Sequence, residues 1–448
     1  MLNHLMSQPQ TRGGTIGKLP VVSGLAALLL AMAPQARAQV QVQVQENVLL
    51  EFPVPDADGE YPGAQLLADT TGPGGALRAL YGTADNVFKL VPPAGGQPSW
   101  TEKVLWAHTS ETAGFELSSG PLLSTTRRVT PHTDLFGTTV VGGLTSPACY
   151  TIVDHTCGTV FSVMDHKHTK IYSFTGGADG FNPYYGPVAD KSGNLYVTAS
   201  LGGGASGCGT IVKLTPPMAG KKAWSAATIW SFTGGSDGCG PNALIINSVG
   251  ALYGTTSGGG SANNGSVFEL EPLQTDGTAW AEKTLWDFQG GSDGSGPGGA
   301  LIADKDGVLY GTTYAGGSAN QGVAFSVTPQ RKSRTSRSEA VIWSFTGNAD
   351  GGEPVGNLLF DKAGVLYGTA YSGGNATGDG TVFKLSPPFG GQASWAETTL
   401  WQFSGPDGSE PYNGLAADKS GVLYGTTNVG GSTNKGTVFS LQNTGFVP

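Results

Sequence analysis

Short runs of alternating apolar and polar residues, separated by glycine-rich turns, fill most of this chain. One unit contains four such runs, which we name strands A, B, C and D. They are Ala300–Asp304, Val308–Thr313, Gly322–Val327 and Ala340–Phe345. Alternation with a period of two is typical of β-strands that bury one face, and no segment sustains the 3.6-residue period of a helix. The pattern therefore predicts an all-β fold.

A phrase close to Leu-Tyr-Gly-Thr-Thr marks strand B and recurs along the chain, and its last five copies follow at intervals of 57 residues. A fixed period of this length indicates one supersecondary unit copied in tandem. The seven copies begin at Leu80, Leu135, Leu195, Leu252, Leu309, Leu366 and Leu423. Seven four-stranded units predict a seven-bladed β-propeller over residues 47–446. A solenoid is the alternative, but it needs polar capping repeats, and none is visible.

The two ends of the repeat region complement each other. Residues 48–52, Val-Leu-Leu-Glu-Phe, are similar to the D runs Thr284–Phe288 and Thr399–Phe403, whereas the seventh unit contains only strands A, B and C. The N-terminal strand can therefore complete the last blade, which would close the ring and cover two sheet edges. A reading in which each blade simply starts with its D run fits the strand count equally well. We predict closure by the N-terminal strand.

The first 38 residues have the features of a secretory signal peptide. Arg12 and Lys18 precede an apolar run, and Ala36-Arg37-Ala38 matches a signal-peptidase site. We expect cleavage after residue 38, a short linker over residues 39–46, and a protein that is secreted or periplasmic. No apolar stretch is long enough to span a bilayer, and the chain ends at Phe446-Val447-Pro448 without an apolar tail, so we expect no membrane span and no C-terminal anchor.

Loss of this leader would change the net charge from −9 to −12, because the leader has three basic and no acidic residues. An acidic exported protein is poorly suited to nucleic acids or anionic membranes. We therefore expect an extracellular glycan or protein as the partner, no nucleic acid, and a monomeric protein.

Four cysteines lie in the mature part of the chain, and an even number in an oxidising compartment predicts disulfides. In a propeller blade the B–C and D–A connections share one face of the disc, which we call the loop-rich face. All four cysteines fall in such connections. We predict the pairs Cys149–Cys157 and Cys208–Cys239. Zinc ligation by the four is the weaker alternative, because no closely spaced cysteine pair is present.

The repeat resembles a known family. Leu-Tyr-Gly-Thr-Thr, the glycine-rich B–C loop that leads into Gly-Thr-Val-Phe, and Thr-Leu-Trp-x-Phe are together similar to the GloVer tandem repeat of exported bacterial proteins. The A–B hairpin Val188–Val197 also resembles NHL-type propeller repeats. The resemblance implies an extracytoplasmic, propeller-like repeat protein. It brings no family activity with it.

Candidate ligand-binding residues precede strand A, where the blades meet at the mouth of the central channel. Tyrosine rings with neutral amides suit sugars, whose C–H faces stack on aromatic rings and whose hydroxyls form hydrogen bonds. The alternative is that these are turn-forming and packing residues. The candidates are Gln65, Tyr184, Tyr185, Asn242, Asn357, Tyr412 and Asn413.

The second unit contains all five mature histidines. His132 precedes strand B, and His166 and His168 follow strand C, so the three imidazoles could meet and bind a divalent metal. The alternative is divergence of solvated loops in one irregular blade. No other cofactor is predicted.

The sequence contains no motif specific enough to name a reaction, so the catalytic residues are unknown. We therefore expect a non-catalytic binding protein that recognises glycan or protein through its loop-rich face. A carbohydrate-active enzyme, such as a polysaccharide lyase or hydrolase working at the channel mouth, is the first alternative. A structural component of the cell envelope is the second.

Overall fold

The computed structural model confirms the predicted all-β fold, with seven blades of four antiparallel strands in a propeller ring. Residues from Gln43 to Pro448 form one compact unit. The predicted signal peptide and the first part of the linker lie outside the described residues. These residues are 43–52, 62–84, 86–94, 99–107, 122–124, 134–149, 155–164, 167–218, 223–273, 279–330, 338–390 and 394–448.

The strands follow the predicted order A to D in every blade. In blades 1 to 3 they are β2 (Leu67–Asp69), β3 (Ala79–Thr83), β4 (Asn86–Val91) and β5 (Thr101–Ala107); β6 (Leu122–Ser124), β7 (Asp134–Thr139), β8 (Thr159–Met164) and β9 (Lys167–Ser173); β10 (Val188–Ala189), β11 (Leu195–Ala199), β12 (Thr210–Thr215) and β13 (Ser225–Ser231). Blade 4 consists of β14 (Cys239–Ile246), β15 (Leu252–Gly258), β16 (Ser266–Pro272) and β17 (Trp280–Asp287).

In blade 5, strand A is split into β18 (Ser295–Pro297) and β19 (Ile302–Ala303), which both pair with β20 (Leu309–Ala315) and are followed by β21 (Val323–Thr328) and β22 (Ser338–Ser344). The remaining strands are β23 (Leu359–Phe360), β24 (Leu366–Ala370), β25 (Thr381–Ser386) and β26 (Ala396–Gln402) in blade 6, and β27 (Ala416–Ala417), β28 (Leu423–Thr427) and β29 (Thr437–Gln442) in blade 7. Short 3-10 helices cover Pro73–Gly75 and Gly291–Asp293.

The outer strand of blade 7 comes from the other end of the chain. Strand β1 (Gln45–Glu51) pairs antiparallel with β29, with Gln45 opposite Gln442 and Glu51 opposite Thr437. The strand thus begins two residues before the predicted propeller boundary at residue 47. Its pairing is the contact that closure by the N-terminal strand requires. We predict that this contact holds the ring together.

The glycine of the Leu-Tyr-Gly-Thr-Thr phrase makes room for a phenylalanine of strand C. A Cβ at this glycine would lie 2.4 to 2.7 Å from the ring of that phenylalanine, which is closer than carbon atoms approach. Blade 3 has Val197 opposite Val212 at the same place, so two medium-sized side chains replace a small and a large one. The glycines are Gly82, Gly137, Gly254, Gly311, Gly368 and Gly425.

Phenylalanine pairs form the core between most blades. The phenylalanine that follows strand D of one blade packs on the strand C phenylalanine of the next, with ring centroids 4.9 to 5.6 Å apart. Phe52, which follows β1, makes the same contact with Phe88 of blade 1. The other pairs are Phe232–Phe268, Phe288–Phe325, Phe345–Phe383 and Phe403–Phe439.

Three glutamates at equivalent positions of strand D lie half-buried between blades. Burial raises the pKa of Glu46, Glu339 and Glu397 to about 7, and a nearby aspartate, such as Asp407 beside Glu46, adds to the shift. The ordinary value is 4.5, so folding favours the protonated form. Stability that is present below pH 4.5 is therefore lost as the pH rises towards 7.

We expect the thermal midpoint to be a few degrees higher at pH 5 than at pH 8, as measured by circular dichroism. The triple variant Glu46→Gln, Glu339→Gln and Glu397→Gln should show a weaker pH dependence, because it has lost the titrating groups. An equal pH dependence in both proteins would assign the effect to other residues.

Candidate functional site

The described residues enclose a cavity of about 370 Å³ where the A strands converge. Six of the seven predicted ligand-binding residues line it, so residues far apart in the sequence meet at one place. They are Gln65, Tyr184, Tyr185, Asn357, Tyr412 and Asn413. Asn242 is not among the lining residues. Its buried side chain lies behind the cavity wall, which its neighbour Ala243 forms.

A proline before strand A sets the path of the chain into the cavity. Pro183 and Pro411 each pack against a glycine of the preceding blade, and a Cβ on that glycine would lie 2.5 Å from the proline Cδ. The two residues that follow each proline are Tyr184-Tyr185 and Tyr412-Asn413. The prolines therefore fix the backbone from which the side chains of both pairs reach the cavity.

The amide side chains of the cavity are occupied by bonds between blades. Asn357 Nδ2 donates a hydrogen bond to Gln65 Oε1 over 2.6 Å, and Asn357 Oδ1 accepts one from the backbone N–H of Ala300. Gln65 Nε2 donates to the carbonyl oxygen of Leu415 over 2.9 Å. These bonds join blades 5, 6, 7 and 1 at the axis. The amides thus link neighbouring blades, and their role in ligand binding stays a prediction.

Asn242 and Asn413 show the same behaviour. Asn242 Nδ2 donates to the carbonyl oxygen of Pro297 in the next blade over 2.6 Å, and to the Thr255 hydroxyl over 3.0 Å. Asn413 Nδ2 donates to the carbonyl oxygen of Pro62 over 3.4 Å. The remaining polar groups of the cavity wall are mainly the phenols.

Tyrosine side chains give the cavity its chemical character. The rings of Tyr184 and Tyr185 pack edge to face, 5.2 Å apart. Burial raises the pKa of Tyr185 strongly, and the phenol of Tyr412 adds to the effect, so these two side chains approach each other from blades 3 and 7. No side chain among the described residues hydrogen-bonds the Tyr185 hydroxyl. A buried hydroxyl normally forms a hydrogen bond, so the Tyr185 hydroxyl is available to form one with a hydroxyl group of a ligand.

Two tyrosine–glutamate pairs extend the aromatic surface outwards on the loop-rich face. The Tyr371 ring lies 5.9 Å from that of Tyr412. Burial, followed by the neighbouring carboxylate of Glu410, raises the pKa of Tyr371 to about 12. Burial, followed by the neighbouring carboxylate of Glu353, raises the pKa of Tyr314. We call these four residues, Tyr314, Glu353, Tyr371 and Glu410, the acidic rim.

The candidate residues before strand A come from an alignment of the units on the aspartate that ends strand A, and this alignment does not bring out the acidic rim. Alignment on the proline that precedes strand A would have exposed it. The residue before that proline is asparagine or glycine in blades 3 to 5, and glutamate in blades 6 and 7. These residues are Asn182, Gly240, Gly296, Glu353 and Glu410.

The predicted histidine site is described only in part, because His132 and His166 lie outside the described residues. The His168 ring stacks on Trp106 of the preceding blade, with centroids 4.1 Å apart. Burial, with a smaller effect of Lys170, lowers the pKa of His168. Its position in strand D corresponds to that of the interblade glutamates, so His168 packs between blades. Within the described part of the chain, no three metal-ligating side chains come together.

The disulfides have the predicted pairings, Cys149–Cys157 and Cys208–Cys239. The first closes a B–C loop of blade 2, and the second joins the B–C loop of blade 3 to strand A of blade 4. Disulfides of this kind are typical of proteins from oxidising compartments. Among the described residues, no helix is long and apolar enough to cross a bilayer.

A second cavity, of about 840 Å³, lies on the opposite face between blades 4 and 5. In blades 1, 3, 4 and 6 a tryptophan at the start of strand D packs on an aromatic ring of the preceding blade, as Trp395 does on Tyr310. Blade 5 has no tryptophan between β21 and β22, so the ring of Tyr253 has no such cover. The Tyr253 hydroxyl donates to Glu269 over 2.5 Å.

Among solved structures, the chain is similar to the extracellular domain of a putative one-component system from B. thetaiotaomicron, with 12% identity and a TM-score of 0.49. The match covers 87% of this chain, which spans 41% of that one. A glucose dehydrogenase structure matches with 12% identity and a TM-score of 0.40, over 88% of this chain and 99% of the other. No curated protein matches the sequence.

The profile of the Gloeobacter/Verrucomicrobia repeat matches residues 131–340 and 333–447, which is more than half of the chain. This match confirms the resemblance that the repeated phrases indicated. The chain belongs to the Gloeobacter/Verrucomicrobia repeat family.

Proposed function

We propose that this protein is exported and binds glycan chains, without cleaving them, in the central cavity of its loop-rich face. The observation that carries the proposal is the Tyr185 hydroxyl, which lies in an aromatic cavity without a side-chain partner among the described residues. Sugar rings offer apolar faces for Tyr184 and Tyr412, and hydroxyls for Tyr185. The leader over residues 1–38 and the two disulfides support export.

The cavity also favours a sugar by its size and rigidity. About 370 Å³ lies within the range of small-molecule sites, and hydrogen bonds between blades hold its wall. Because Gln65 and Asn357 are fixed by each other, the wall needs no rearrangement to receive a ligand. A preformed wall avoids the entropy cost of ordering a site on binding.

A carbohydrate-active enzyme is the second candidate, and the acidic rim is the observation that favours it. Carboxylates and phenols can serve as general acids and bases. However, a pKa of about 12 keeps Tyr371 protonated at neutral pH, so its phenol is suited to donate a hydrogen bond rather than to abstract a proton. The raised pKa thus argues against Tyr371 as a general base.

We expect the purified protein to be retarded by one or more polysaccharides in affinity electrophoresis and to release no reducing ends from them. The variant Tyr412→Ala should weaken this binding about thirtyfold, the effect typical of a central aromatic contact. Tyr185→Phe, which removes only a hydroxyl, should weaken it about fivefold.

The matched control is Phe389→Ala, because Phe389 is 87% exposed in the C–D loop on the opposite face. Its variant should bind as the unmodified protein does. Equal binding by the Tyr412, Tyr185 and Phe389 variants would exclude the central cavity. Release of oligosaccharides would favour the enzyme.

A further inference from the structure

The acidic rim places two carboxylates beside the proposed glycan site. The backbone N–H of Tyr371 donates to the carbonyl oxygen of Glu353 over 3.3 Å, and the carboxylates of Glu410 and Glu353 both raise the pKa of the Tyr371 phenol, so both lie near one phenol. Asn428 Nδ2 donates to Glu410 Oε2 over 3.4 Å. The Tyr371 ring is the link to Tyr412 and thus to the cavity. A ligand that extends out of the cavity past Tyr412 would therefore meet both glutamates.

Both glutamates have a backbone conformation that suits glycine better. Glu353 has a φ of 55° and Glu410 a φ of 57°, in the left-handed region. The equivalent residues of blades 4 and 5 are Gly240 and Gly296. A residue with a Cβ is disfavoured in this conformation, and such strain is concentrated at functional sites. The fold alone therefore gives no reason for glutamate here.

Little positive charge opposes these carboxylates. Lys435 is the sole lysine or arginine in the described B–C and D–A loops. No ion pair joins Glu353 or Glu410 to a described basic residue. In contrast, several A–B turns on the opposite face contain a basic residue, such as Lys305.

The turn aspartates of the loop-rich face are already engaged. Each accepts a hydrogen bond from a backbone N–H three or four residues earlier, a contact typical of aspartate in a turn. These residues are Asp179, Asp237, Asp293, Asp350 and Asp407. The two rim glutamates are thus the carboxylates best placed to bind a cation of the ligand, in a face whose summed charge is negative.

Building on the proposed glycan site, we infer that its ligand is a glycan with protonated amino groups, such as an oligomer of unacetylated amino sugars. Sugar rings would stack on the tyrosines of the cavity, while an ammonium group would lie between Glu353 and Glu410. Aromatic faces beside the carboxylates attract the same cation. Acetylation of the amino group removes its positive charge and therefore its attraction to Glu353 and Glu410.

The test compares a glucosamine hexamer with an N-acetylglucosamine hexamer by isothermal titration at pH 6, where the amines are protonated. We expect the glucosamine hexamer to bind at least about tenfold more tightly, an advantage that added salt should reduce. The double variant Glu353→Gln with Glu410→Gln keeps the side-chain shape and should lose this advantage, with little change for the acetylated hexamer.

A second variant, Glu353→Gly with Glu410→Gly, separates binding from folding. Glycine removes the left-handed strain, so we expect this variant to melt no lower than the unmodified protein and to lose the preference for the glucosamine hexamer. A lower melting temperature would show that the glutamates serve the fold, and would overturn the inference.

The remaining outcomes distinguish this inference from the function on which it rests. Equal affinity for both hexamers would overturn the amine preference and leave glycan binding in place. Binding of neither hexamer, nor of any neutral polysaccharide, would overturn both. Hexalysine binding as tightly as the glucosamine hexamer would reveal a site for cations in general and would overturn the choice of a glycan.

Discussion

A chain that lacks residues 46–53 is expected to melt about 5 °C lower than the unmodified protein, which is the shift that a loss of about 4 kcal/mol gives in a folded unit of this size. The deletion removes β1 and leaves the edge of β29 unpaired. It also removes Phe52, which is 8% exposed and packs on Phe88 of blade 1. The strand thus contributes both to the blade 7 sheet and to the core between blades 7 and 1.

Differential scanning calorimetry would measure this effect, with a deletion of residues 39–42 as the control. The control also shortens the chain ahead of the first blade but leaves β1 intact, so its melting temperature should be unchanged. Phe52→Ala should reproduce part of the loss, about 3 kcal/mol of the free energy of unfolding. An unchanged melting temperature after deletion of residues 46–53 would show that the ring is stable without the N-terminal strand.

The second large effect is expected from Gly368→Val in the repeated phrase of blade 6. A Cβ at Gly368 would lie 2.6 Å from Cζ of Phe383 and 2.9 Å from Cδ2 of Leu358. Both neighbours are buried and cannot move outwards. Overpacking of this kind should lower the free energy of unfolding by about 3 kcal/mol, measured by urea denaturation.

Blade 3 suggests how this loss can be recovered. There, Val197 faces Val212 at the positions that Gly368 and Phe383 occupy in blade 6. The double variant Gly368→Val with Phe383→Val should therefore be more stable than the sum of the two single changes implies, by about 2 kcal/mol. Recovery is incomplete because Phe383 also packs on Phe345 of blade 5. Additive losses would contradict the proposed exchange of volume.

Features that recur in every unit could be predicted from the sequence. The strand order, the number of blades and the partner of the N-terminal strand follow from the period and from the missing strand D. The cysteine pairs could be predicted because the repeat assigns each loop to one face of the propeller. Similarly, Asp-x-x-Gly between strands A and B is a sequence typical of a tight turn, and such a turn forms at Asp361, whose carboxylate accepts hydrogen bonds from two backbone N–H groups, with a left-handed Gly364.

The use of each polar side chain at the axis could not be predicted. Gln65 and Asn357 are 292 positions apart, and only their distance in the fold shows that they bind each other. The same holds for His168, whose stacking on Trp106 depends on the spacing between two blades. The acidic rim was missed for a different reason. Glu353 and Glu410 occupy one position of the repeat, where blades 3 to 5 have asparagine or glycine. This difference is visible only when the units are aligned on the proline that precedes strand A.

The pairing of β1 with β29 also has a consequence for the order in which the molecule is built. Asn443 donates a hydrogen bond to the carbonyl oxygen of Gln43, a partner 400 positions earlier in the chain. A ribosome therefore completes β1 first and its partner last. Until the last strand emerges, β1 has no place to dock, and its exposed backbone can pair with other chains. We expect the docking of β1 to be the slowest step of folding, since it is the least local contact.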